Sequence, residues 1–155
     1  MARAIVGVLA VFFSVLAAPP EASAEPSDIL GAWSFETDRY RDGQCVMSGT
    51  MRLWSGVSGK QSGYQCELTA LEVCTQWGQS VVRQTCDITR VDDQLTVRSQ
   101  IAEVLQRKGA FSEGPFNYAP DNFALTVKSH SLMFGSLLSA VNAPVTFRRE
   151  TAGIS

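Results

Sequence analysis

From Gln44 to Trp54 the chain alternates. Cys45, Met47, Gly49, Met51 and Leu53 fall on one side, and Val46, Ser48, Thr50, Arg52 and Trp54 on the other. A period of two, with one apolar and one mostly polar side, predicts a half-buried strand. Shorter alternating runs recur along the rest of the chain. Trp33, Phe35 and Thr37 share a face in strand one, before an Asp42-Gly43 turn. A Gly/Ser-rich loop at Ser55–Ser62 leads into strand three, Gly63–Thr69, with Tyr64, Cys66 and Leu68 on its apolar face. Ser80–Arg90 and Gln94–Ile101 read as strands four and five around a Val91-Asp92-Asp93 turn, with Val82, Cys86 and Ile88 on one side of strand four. Asn122–Lys128, Leu132–Ser139 and Ala143–Arg149 supply strands six to eight.

Two stretches break the pattern. Ala70–Gln79 fits either a helical turn or a continuation of strand three. In Ala102–Pro120, the spacing of Ile101, Val104 and Leu105 predicts a short helix stopped by Gly109, followed by an aromatic, proline-rich segment, Phe111 to Pro120. A connection that long in a small β-domain is often functional. Eight short antiparallel strands in meander order predict an all-β fold, an up-and-down barrel with one long loop or short helix between strands five and six. Closure removes the exposed sheet edges. An open β-sandwich is the alternative.

The first residues change the compartment. Arg3, an apolar run from Ala4 to Ala18, two prolines and Ala22-Ser23-Ala24 follow the grammar of a cleaved signal peptide over residues 1–24, leaving residues 25–155 as one domain. The run falls short of the roughly 20 residues that span a bilayer, so no stable membrane insertion is expected after cleavage. The expected location is periplasmic or secreted. In that setting four cysteines, Cys45, Cys66, Cys74 and Cys86, imply two disulfides. With no C-x-x-C pair and one histidine, no metal site is expected. Turns at Ser58–Gly59 and at Gln76 would bring Cys45 opposite Cys74 and Cys66 opposite Cys86.

Charge and chemistry narrow the function. The net charge is −2 and no basic stripe occurs, so no nucleic-acid partner is expected. Gly56-Val57-Ser58-Gly59-Lys60 lacks the first glycine and the metal-binding hydroxyl of a phosphate loop. His130 lies in a hairpin tip, and the carboxylate pairs Glu67/Glu72 and Asp92/Asp93 show no buried setting for acid–base work. No catalytic residues and no cofactor are expected, and the chain reads as a non-enzyme. Binding residues are sought in two groups. Trp33, Phe35, Met47, Met51 and Tyr64 are bulky inward positions; Phe111, Phe116 and Tyr118 stand in the aromatic excursion.

Gly31-Ala32-Trp33 resembles the G-x-W that opens lipocalin-type barrels, with Phe147-Arg148-Arg149 placed to supply the arginine that packs on that tryptophan. In size the chain is similar to small bacterial barrels of the metalloprotease-inhibitor type. That resemblance implies a Cys45–Cys66 bond, leaving Cys74 to Cys86, and a blocking N-terminal segment, Glu25-Pro26-Ser27-Asp28. The expected function is that of an exported, non-catalytic binding protein of the bacterial envelope. Its partner would be a small apolar ligand or an envelope protein. The alternatives are an inhibitor acting on a protease through its N-terminal segment, and a structural envelope component.

Overall fold

A computed structural model describes residues 29–58 and 61–151. The expected signal segment 1–24, the N-terminal residues 25–28, residues 59–60 and the C-terminal residues from 152 lie outside the described residues. Eight strands form one closed antiparallel barrel in sequence order: β1 (Gly31–Thr37), β2 (Cys45–Ser58), β3 (Gln61–Cys74), β4 (Gly78–Val91), β5 (Gln94–Lys108), β6 (Asn122–Ser129), β7 (Leu132–Leu138) and β8 (Asn142–Arg149). β1 closes the ring against β8, with Phe35 opposite Phe147.

The alternation along β2 has the orientation its pattern predicts: Cys45, Met47, Met51 and Leu53 are buried inside. At Gly49 an inward side chain is excluded, because a Cβ would stand 2.0 Å from the Thr69 carbonyl oxygen and 2.9 Å from the Phe35 ring. Phe35, Phe123 and Phe147 fill the middle of the barrel, their ring centroids 5.0 to 5.5 Å apart. An eight-stranded barrel is narrow enough for side chains to plug it, and here they do so at its waist.

One end is sealed by Trp33. Its indole N–H donates to the Ile29 carbonyl at 2.9 Å, and the Arg149 guanidinium lies over its ring, 4.5 Å from the centroid. Arg149 also donates to the carbonyls of Leu30, at 2.5 Å, and His130. The tryptophan–arginine stack that the G-x-W pattern implies is therefore present.

Three points that the sequence left open or misread are resolved, and the cysteine pairing read from the turns is the one formed. Ala70–Cys74 prolongs β3, with Cys45 opposite Cys74 and Cys66 opposite Cys86 in the ladders. The disulfides are Cys45–Cys74 and Cys66–Cys86, so the pairing implied by the inhibitor-type resemblance is not the one formed. Second, the loop at Ser55–Ser62 is shorter than its composition implies: β2 runs to Ser58 and β3 starts at Gln61. Third, the residues from Ile101 to Lys108 are strand, paired to β4, and the helical part of the excursion is one 3-10 turn, Gly109–Ser112. The helix-like spacing has a physical cause. Gln84 pairs with Ile101 and Val82 with Val104, so β5 advances three residues while β4 advances two. Such a bulge converts a period of two into an apparent period of three.

Candidate functional site at the barrel mouth

β5 meets β6 only from Gln94 to Val97. Beyond that point the β4–β5 ribbon projects past the barrel, and residues 109–121 cross the open end. The crossing depends on two glycines packed backbone to backbone. Gly78 and Gly109 both have positive φ (96° and 70°), and a Cβ on Gly78 would stand 2.1 Å from the Lys108 carbonyl oxygen. Phe111 N–H then donates to the Trp77 carbonyl at 3.1 Å, and the two rings lie 6.5 Å apart. Phe111 packs edge-on against Phe116 at 5.8 Å, and Phe116 faces Tyr118 at 5.7 Å.

The chain re-enters the barrel at Asp121, which is fully buried. Gln84, an inward residue of β4, holds it with both ends of its amide. Nε2 donates to Asp121 Oδ2 at 2.6 Å, and Oε1 accepts the Asp121 backbone N–H at 2.9 Å. The Tyr118 hydroxyl donates to the same Oδ2 at 2.7 Å, and Ser99 Oγ donates to the Asp121 carbonyl at 2.7 Å. Asp121 Oδ1 is buried and accepts no hydrogen bond among the described residues. Burial pushes the Asp121 carboxyl up to about 6 against the opposing hydrogen bonds from Tyr118 and Gln84, with the nearby Glu72 charge acting in the same direction as burial.

A second carboxylate stands beside it. Glu72 is an inward residue of β3, buried between Ala70 and Cys74, and accepts the Tyr40 hydroxyl at Oε1, 2.8 Å away. Burial first, and the adjoining carboxylates second, hold both tyrosine hydroxyls protonated far above the usual phenol range. Tyr40 is fixed by two backbone bonds with Cys45 across the Arg41–Gln44 turn. In that turn Arg41 takes a left-handed conformation (φ 50°) and lies over the Trp77 ring, 5.3 Å from its centroid.

Together these residues enclose a half-open cavity of about 220 Å³. Met47, Trp77, Phe111, Phe116 and Val141 supply apolar wall, while Arg41, Glu72, Asn117, Tyr118, Asp121 and Ser139 supply the polar part. Of the residues singled out from the sequence, Met47, Phe111, Phe116 and Tyr118 meet here. Trp33, Phe35 and Met51 are packed in the core, away from the mouth, and Tyr64 is a partly buried neighbour of the core. Sequence reasoning does not single out Tyr40, Arg41, Glu72, Trp77, Gln84 or Asp121 as binding residues. The reading of Glu72 as unburied is corrected. Carrying the β3 alternation on through Cys66, Leu68 and Ala70 puts Glu72 on the inward side, and the same count on β4 puts Gln84 there. Asp121 carries no such signal, because Pro120-Asp121 is also a turn sequence.

Among the described residues, the one cluster of three possible metal ligands is Cys45, Glu72 and Cys74, and both its sulfurs are tied up in a disulfide. No helix there is long and apolar enough to cross a membrane. No protein-family model and no curated protein matches the chain. A solved structure of a de novo designed, fluorescence-activating β-barrel is similar over 80% of this chain and 95% of that one, at 16% identity and a TM-score of 0.47.

Proposed function

We propose that the protein is an exported, non-catalytic binding barrel of lipocalin-like build that takes a small molecule at its open end. The observation that carries this reading is the cavity of about 220 Å³, with apolar and aromatic walls over a few fixed polar groups. Binding sites for small molecules are concave, mostly apolar and largely pre-formed, with a small number of placed polar atoms. The volume suits a ligand about the size of one substituted ring. The filled waist moves the ligand from the barrel interior to the mouth. The two disulfides support a periplasmic or secreted setting.

A ligand-observed NMR screen of single-ring fragments tests this reading. Several fragments are expected to bind at millimolar concentration or better and to compete for one site. A complete absence of competing binders would overturn it. The second reading is an envelope protein seated beside the same mouth. It draws on the exposed Ile101, Val104 and Leu105 of the projecting ribbon. Replacing all three by serine is expected to abolish capture of such a partner while leaving fragment binding intact.

A further inference from the structure

We propose that the mouth cavity recognises a primary ammonium group on a small apolar or aromatic body, with the ammonium held by the Glu72 and Asp121 carboxylates that line it. This inference deepens the small-molecule reading above and rests on it.

The argument starts from the unpaired oxygen. Asp121 is wholly buried, yet its side-chain bonds to Gln84 and Tyr118 both fall on Oδ2. Ser139 lies nearby, but its hydroxyl donates to the Ala119 carbonyl at 3.2 Å. A buried acceptor without a donor costs about 1–3 kcal/mol, and more when charged, so native structures leave few of them. The Ser139 hydroxyl, shared with the Ala119 carbonyl, also bears on the Asp121 carboxyl, so what the carboxyl lacks is a cationic donor.

The surroundings specify the donor's charge. Two carboxylates, Glu72 and Asp121, face one cation, Arg41, across the cavity lining. With both ionised, the lining carries a net charge of −1. Arg41 is turned onto the Trp77 face at the rim, and among the described residues it makes no ion pair with either carboxylate. An anionic ligand would meet two carboxylates. A calcium or magnesium ion would need about six oxygen ligands, whereas much of this wall is aromatic and aliphatic. An organic ammonium uses both halves of the site. Its N–H groups fit the carboxylates, and its body fits Met47, Trp77, Phe111 and Phe116. Aromatic faces attract cations, and two of these three rings already hold one, Arg41 over Trp77 and Arg107 over Phe116.

The test compares 2-phenylethylamine with 2-phenylethanol on the full mature chain at pH 7.5, by NMR titration or calorimetry. The two probes share a ring and differ in the charged donor. The amine is expected to bind about five- to tenfold more tightly, the margin of a charge-assisted over a neutral hydrogen bond. Asp121→Asn is expected to erase that margin while the alcohol still binds. The asparagine amide nitrogen would occupy the position of Oδ1 and donate where an acceptor stood. Glu72→Gln is a second variant, expected to narrow the margin, should the first fail to fold. Equal binding of amine and alcohol to the unmodified protein would overturn the ammonium inference and leave the small-molecule reading standing. Binding of neither would overturn both.

Discussion

Asp121 holds the crossing segment in place at a cost to stability. Gln84 and Tyr118 fix it, but a fully buried carboxylate disfavours its own ionisation, and the carboxyl rises from 3.8 to about 6. The native state therefore binds this proton more tightly than the unfolded chain does. The associated stability is complete below about pH 4 and is lost as pH rises to about 6. At about 1.4 kcal/mol per unit, the loss is on the order of 2–3 kcal/mol. Glu72, Tyr40, Tyr118 and Arg41 surround the group, and the tyrosines stay protonated throughout that range. Asp121→Asn keeps an oxygen for Gln84 and Tyr118 but cannot ionise. Urea denaturation from pH 4 to 7.5 is expected to show the unmodified protein losing about 2–3 kcal/mol relative to the variant. Parallel curves would refute the buried-carboxylate account. Residues such as Asp121 are the least legible in a sequence, because a proline–aspartate turn and a buried anchor are spelled alike.

The strands are far more legible than the mouth. Alternation alone identifies the inward side of β2, because the barrel interior admits apolar side chains and excludes Arg52 and Thr50. Counting from the turns yields the cysteine pairing, because a two-stranded ladder leaves each residue one partner. Each disulfide should contribute about 3 kcal/mol by restricting the unfolded chain. Replacing Cys66 and Cys86 together by serine is expected to lower stability by roughly that amount with mouth binding retained. Loss of the Cys45–Cys74 bond, next to Glu72 on β3, should weaken binding as well as stability. Equal effects of the two double replacements on ligand affinity would contradict this assignment. The misreading of the last part of β5, beyond Ile101, as a helix has an equally local origin. Two register shifts between β4 and β5 imitate a helical period, and only the partner strand reveals them.

At the scale of the whole molecule, the barrel has one end closed by Trp33 and Arg149, a waist filled by three phenylalanines, and one end left partly open under a crossing loop. Both tight features can be tested by substitution. Arg149→Ala removes the stack on Trp33 and the bonds to Leu30 and His130, and is expected to cost about 1–3 kcal/mol in denaturation. Lysine should not rescue it, since it lacks the planar fork that stacks and donates at once. Gly49→Ala forces a Cβ into the Thr69 backbone and the Phe35 ring, and should cost a similar amount through displaced core packing. Neither change touches the mouth, so fragment affinity should survive both.

The central claim is that this chain binds a small molecule at the mouth and nowhere else in the barrel. A titration of isotope-labelled protein with 2-phenylethylamine, followed by two-dimensional NMR, tests it most directly. Saturable shifts are expected at the Met47 methyl, the Trp77 indole and the backbone around Phe111, Phe116 and Asp121, with Met51 and the Trp33 indole unmoved. Shifts centred on Met51 and Trp33, or no saturable shift at all, would contradict the account.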